Sequence, residues 1–286
     1  MRHAGRVSST ETRTTHAGTV GNAEGTPAWG LLPAIGVVAS AVLLFGFEAP
    51  LAGYPLLWAS VACALLVSRA LARDLLLIAV GLSIVSTISV AADISYPNII
   101  RMGIVLSLTV AVPWALERFV FRRDAIRFPV RTGRRWLPVE RAYLAAVVPL
   151  GWLILPGYFV GSGAYRNWPA VDEPDEIWRL FLGVNGVGIW DELFFICTVF
   201  SLLLRHFPMW QANLLQAGIF VSFLWELGYR EWGPAMTVLF ALAQGYLFTR
   251  TRNLVYVVCV HLLFDLMVFL VIVHAHNPGL LRIFWL

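Results

Sequence analysis

Nine apolar runs, each long enough to cross a bilayer, follow one another along this chain: residues 30–47, 52–69, 74–92, 99–116, 142–160, 180–203, 211–228, 232–249 and 254–273. A hydrocarbon layer of about 30 Å asks for roughly 20 residues of helix, and a helix satisfies its own backbone there. The expected fold is therefore all-α: a polytopic membrane helix bundle of about nine transmembrane helices. With 59% hydrophobic and 13% charged residues, the chain carries about half the charge of a soluble domain, which excludes that class.

Charge between the runs orders the topology. All 21 basic residues are Arg, and eight fall between Arg118 and Arg141. Arg69 and Arg73, Arg205 and His206, and Arg250 and Arg252 follow the second, sixth and eighth runs. Arg2, Arg6 and Arg13 precede the first. These loops all fall on one side, which the positive-inside rule makes cytoplasmic. The other side carries Glu48, Asp93 and Asp172 to Glu176, so the C-terminus is expected outside. A basic loop facing anionic lipid accounts for the net charge of +4, so no nucleic-acid partner is expected. Four regions follow: a disordered tail at 1–28, a four-helix region at 29–116, an Arg-rich linker at 117–141 and a C-terminal membrane region at 142–286. Cys63, Cys197 and Cys259 lie in apolar runs with no metal or disulfide spacing and read as packed small residues.

Ionisable groups inside the runs carry the chemistry. Asp191, Glu192, His261 and Asp265 sit at a depth where charge costs several kcal/mol and marks function by default. His261 and Asp265, four apart, share a helix face. Asp191 and Glu192 point about 100° apart, so one of them is expected to aim at a shared centre while the other finds a separate partner. A buried Glu beside an imidazole suits a general base acting on water. Ahead of them, Gly183-Val184-Asn185-Gly186-Val187-Gly188 reads as a stripe for close helix packing. Glu226 has two readings, an interfacial Glu paired with Arg230 or a catalytic carboxylate.

About residues 180–270 resemble the CAAX-protease and bacteriocin-processing family (CPBP or Abi), the Rce1-like intramembrane endopeptidases. Asp191-Glu192-Leu193-Phe194-Phe195 is similar to the start of the family's Glu-Glu-x-x-x-Arg helix. His261-x-x-x-Asp265 is similar to its His-x-x-x-Asn/Asp motif. Leu239 to Thr251 resembles the Gly-rich helix and Arg-Thr turn placed between them. Asp191 replaces the first Glu, Ile196 stands at the Arg position, and the second-motif His is absent, with Trp225 or Glu226 nearest its place.

The resemblance implies hydrolysis of a peptide bond in a membrane-embedded or lipidated peptide. Glu192 would activate water, His261 would bind or polarise the water or carbonyl, and Asp265 would stand beside the oxyanion. No cofactor, or a divalent metal such as zinc, is compatible with it, although only one His is available. Two other readings stay open: a degenerate relative that binds or shields a partner, and a transporter using the same carboxylates.

Overall fold

The computed structural model describes residues 26–130 and 133–286. Most of the tail, with Arg2, Arg6 and Arg13, and also Arg131 of the linker, lies outside the described residues. Within them the chain is helical throughout, one helix for each predicted run. They are α1 (Ala28–Gly46), α2 (Pro50–Val67), α3 (Arg69–Val85), α4 (Tyr96–Val120), α5 (Pro138–Phe159), α6 (Pro174–Leu203), α7 (Met209–Leu227), α8 (Gly233–Thr251) and α9 (Leu254–His276). The described linker residues between α4 and α5 hold no helix.

Local chemistry sets the ends. Proline occupies the first turn of α2, α4, α5, α6 and α8, where its missing N–H costs nothing. Ser68 accepts the Leu71 N–H and starts α3 earlier than hydropathy alone suggests. The acidic loop before the sixth run is folded into the first turn of α6, where Glu176 accepts the Asp172 and Glu173 N–H groups. Carboxylates belong there because the helix dipole is positive at that end. Gly228, at φ 134°, terminates α7.

Six of the nine helices are long and apolar enough to cross a membrane; α3, α7 and α8 are not. Those three carry polar groups that the bundle buries, including Asp74, Asn213, Gln216, Glu226 and Gln244. Six such helices make this a multi-pass membrane protein.

Helices α1 to α4 pack in chain order, α1 also lies on α7, and α9 packs between α5 and α6. One close approach joins the two halves. A Cβ at Gly81 of α3 would fall 2.4 Å from the Phe194 ring of α6, so only glycine lets that ring seat. The basic loops share one end of the bundle: Asp74 at the start of α3 meets Arg123 after α4 and Arg205 and His206 after α6. At the other end Asp175 accepts from Tyr96 and Asn277 donates to the Val171 carbonyl.

Candidate active site

Helices α6 and α9 come together where Gly188 faces Asp265. A Cβ at Gly188 would lie 2.0 Å from Asp265 Oδ2 and 3.3 Å from His261 Cδ2. Here a glycine does permit close approach. Immediately after Asp191, α6 widens into π-helical geometry from Glu192 to Phe200. Thr198 and Ser201 hydroxyls donate to carbonyls five residues back, Leu193 and Ile196, as a wide turn requires. Such insertions gather at functional sites.

The imidazole of His261 is held between carboxylates. Its Nδ1 is 2.7 Å from Glu192 Oε1. Its Nε2 is 3.7 Å from Asp191 Oδ2 and 3.8 Å from Asp265 Oδ1. Adjacent residues on α6 thus reach one centre, against the expectation that only one would, because the ring offers nitrogens on both sides. Gln244 of α8 donates to the same Glu192 oxygen at 2.6 Å and to the Val257 carbonyl at 3.1 Å. All of these side chains are buried, yet Asp191 Oδ1, Glu192 Oε2 and Asp265 Oδ2 have no hydrogen-bond partner.

A cavity of about 530 Å³ opens between α4 and α6, and Asp191, His261 and Asp265 stand on its otherwise largely apolar wall. Glu192 does not line it; Glu192 borders a void of about 10 Å³ that Asp191 also lines, with Gln216, Gln244 and the rings of Phe195, Phe220 and Phe240. That is at the lower limit for a single water.

The other sequence candidates lie elsewhere. Glu226 accepts from the Ser89 hydroxyl at 3.1 Å and the Val90 N–H at 3.0 Å, so it caps the chain leaving α3 rather than joining His261 or pairing with Arg230. Neither Trp225 nor Glu226 lines the cavity; α7 presents Phe220, Leu224 and Leu227 to it. Ile196 and Cys197 are packed in the core. Gly183 and Gly186 correct the packing expectation: a Cβ on either would meet nothing within 4 Å, because both face the cavity. Gln244 went unassigned in the sequence, although a polar residue in the middle of an apolar run was the available signal.

The donor set does not suit a metal. Among the described residues no three His, Cys, Asp or Glu side chains are placed to hold one ion.

Residues 173–267, from just before α6 into α9, match the family model for Type II CAAX prenyl endopeptidase Rce1-like proteins. Over that segment the chain is similar to the CPBP-type, Rce1-like membrane endopeptidases. The match carries Asp191, Glu192, Gln244, His261 and Asp265 and leaves α1 to α5 outside it. It supports an intramembrane CAAX-protease-like fold for the C-terminal part of the bundle. Neither the curated proteins nor the solved structures yield a match to this chain.

Proposed function

We propose that this protein is an intramembrane peptide hydrolase acting on a membrane-associated or lipidated peptide. One observation carries the reading: His261, clamped by Glu192, faces a cavity beside two carboxylates with unpartnered oxygens. Unsatisfied buried acceptors are costly, so a site that keeps them is built for something that enters.

The roles follow from which group a substrate could meet. The resemblance implies water activation by Glu192. Its void, at about 10 Å³, has no room for a peptide carbonyl, whereas the cavity at Asp191 has. Asp191 is therefore the base we propose. A water about 2.8 Å from both His261 Nε2 and Asp191 Oδ2 is possible, since those atoms are only 3.7 Å apart. Asp191 takes the proton as that water adds to the scissile carbonyl. His261, protonated at Nε2, donates to the oxyanion that forms. Asp191 then returns the proton to the leaving nitrogen as the C–N bond breaks. Glu192 fixes the ring through Nδ1, as the carboxylate of a catalytic triad does, and Gln244 fixes Glu192. No step needs a metal.

We also infer that the Arg-rich face is cytoplasmic, which sets the C-terminal end of α9 outside. Cysteine-accessibility labelling at residues 135 and 280 in intact cells tests that orientation.

Cleavage of a membrane-peptide library by purified protein tests the reaction. Asp191→Asn is expected to lower cleavage by about 10²–10⁴-fold. If Glu192→Gln abolishes cleavage while Asp191→Asn leaves it, the two roles exchange. A folded wild type that cuts nothing favours the second reading, a relative that binds a partner without catalysis. Ile196 at the motif's Arg position, and the absent second-motif His, favour that reading.

A further inference from the structure

The cavity beside the acidic centre carries charge of one sign. Among the described residues its wall includes Asp93, Asp191, Asp265 and His261, and no Arg. Arg101, Arg179 and Arg230 belong to the same helices or to the turn after α7, but they stay off the wall. Arg179 is held by Asp175 at 2.9 Å, and Arg101 donates to Asn98. The one imidazole is already bonded to Glu192. A carboxylate brought into this space would lose its hydration, meet like charges and find no guanidinium to pair with.

Tyr229 adds what the space does accept. It stands in the turn between α7 and α8, 6% exposed and on the cavity wall, and its hydroxyl has no hydrogen bond among the described residues. Its ring is fixed by other rings: edge-on to Trp168 at 5.5 Å and to Phe159 at 5.8 Å, and parallel to Tyr158 at 6.3 Å. Gly228 turns the chain into it at φ 134°, and Asn167 donates to the Gly228 carbonyl at 3.3 Å. A Cβ at Gly228 would lie 2.9 Å from Trp168 Nε1, so the turn needs glycine for space as well as for angle. Tyr158, Phe159, Asn167 and Trp168 all precede the segment matched by the family model. Burial and the charges of Asp265 and Asp191 hold the phenol well above its ordinary range, so it stays a donor. A fixed O–H donor in a space hostile to anions is matched by a neutral acceptor, and the one every peptide repeats is the backbone carbonyl.

We propose that this site reads charge. It takes an internal, anion-free stretch of peptide with one backbone carbonyl on the Tyr229 hydroxyl, and it rejects a carboxylate close to the cut, whether an acidic side chain or a free C-terminus. This rests on the hydrolase reading for the cut, but not for the binding.

The test uses the full chain in phosphatidylcholine nanodiscs with one photoreactive peptide, acetyl-Ala-Leu-benzoylphenylalanyl-Leu-Ala, made as its C-terminal amide and as its free acid. Counted per peptide bound to the disc, the amide should label the cavity faces of α4 and α6 about 10–100-fold more than the acid. Asp191→Asn combined with Asp265→Asn should bring that ratio close to one. Gly183→Arg, whose side chain grows into open space, should raise labelling by the acid. Tyr229→Phe keeps the ring packing and should lower labelling by both peptides about three- to tenfold, with their ratio unchanged. Equal labelling by the two peptides would overturn the proposal. So would cavity labelling by neither, or a ratio indifferent to both charge variants. Tyr229→Phe that labels like wild type would overturn the carbonyl contact. An amide preference in a wild type unable to cut any peptide would sink the hydrolase reading and keep this one. Cleavage that ignores carboxylates beside the cut would do the reverse.

Discussion

Two buried ionic clusters of this bundle make a contrast: one is balanced and the other is not. At the basic end, Asp74 and Glu117 are each 1% exposed. Arg123 Nη2 reaches Asp74 Oδ1 at 2.5 Å and Glu117 Oε2 at 2.7 Å, and the Ala125 N–H takes the other Glu117 oxygen. His206 and Arg205 take the remaining oxygen of Asp74, at 2.8 and 3.4 Å. Burial pulls the Arg123 guanidinium down, and its contacts with Glu117 and Asp74 more than restore it, leaving it above its ordinary value. Two carboxylates meet two guanidiniums, and every carboxylate oxygen has a partner. In the interior of the bundle, three carboxylates surround one imidazole, and three of their oxygens have no hydrogen bond. A buried charge is tolerated for stability only when fully paired. The first cluster obeys that rule and ties the N-terminal helices to the end of α6. The second breaks it beside a cavity, the pattern of a site that trades stability for function.

That contrast can be broken experimentally, and the largest effect belongs to the frustrated cluster. Asp191→Asn should lower cleavage by about 10²–10⁴-fold without lowering the unfolding midpoint, since it removes a crowded charge. Asp74→Ala should do the reverse. It strands His206 and leaves Arg123 with Glu117 alone, at a cost of about 3–5 kcal/mol, measurable as a lower denaturation midpoint in detergent, with activity per folded molecule retained. A stable Asp74→Ala protein would show that the paired cluster is not what joins the halves.

Smaller changes sharpen the comparison within α6. Gly188→Ala puts a methyl on Asp265 and should cost about 100-fold in kcat, the expected loss for an ångström of misplacement. Gly186→Ala, two residues away but facing open space, should alter stability by no more than about 0.5 kcal/mol and leave kcat alone. Equal effects at the two glycines would mean that the α6–α9 approach does not position Asp265.

Much of this was legible before the fold. Mean hydropathy and run length gave one helix per run, because a bilayer core admits few alternatives. The depth of Asp191, Glu192, His261 and Asp265 singled them out, because charge in hydrocarbon is expensive wherever the chain goes. Spacing placed His261 and Asp265 on one face. Glu226, read either as interfacial or as catalytic, instead accepts from the loop after α3, a partner 136 residues away that no local pattern encodes. Asp74 drew no attention, since near a helix end it resembles a solvated charge until Arg123 and His206 close over it.

What the sequence determined by itself was whatever depends on one helix and its solvent: which segments enter the membrane, and which side chains are out of place there. What tertiary structure alone decided was partnership and direction. His261 turns one nitrogen to each of two neighbouring carboxylates, Glu192 is shut behind the ring, and Gly183 and Gly186 face a groove while Gly188 is packed. These are outcomes of how α4, α6, α8 and α9 are set against one another. Such contacts join residues tens of positions apart, and the periodicity of a single helix holds no information about the width of the gap beside it.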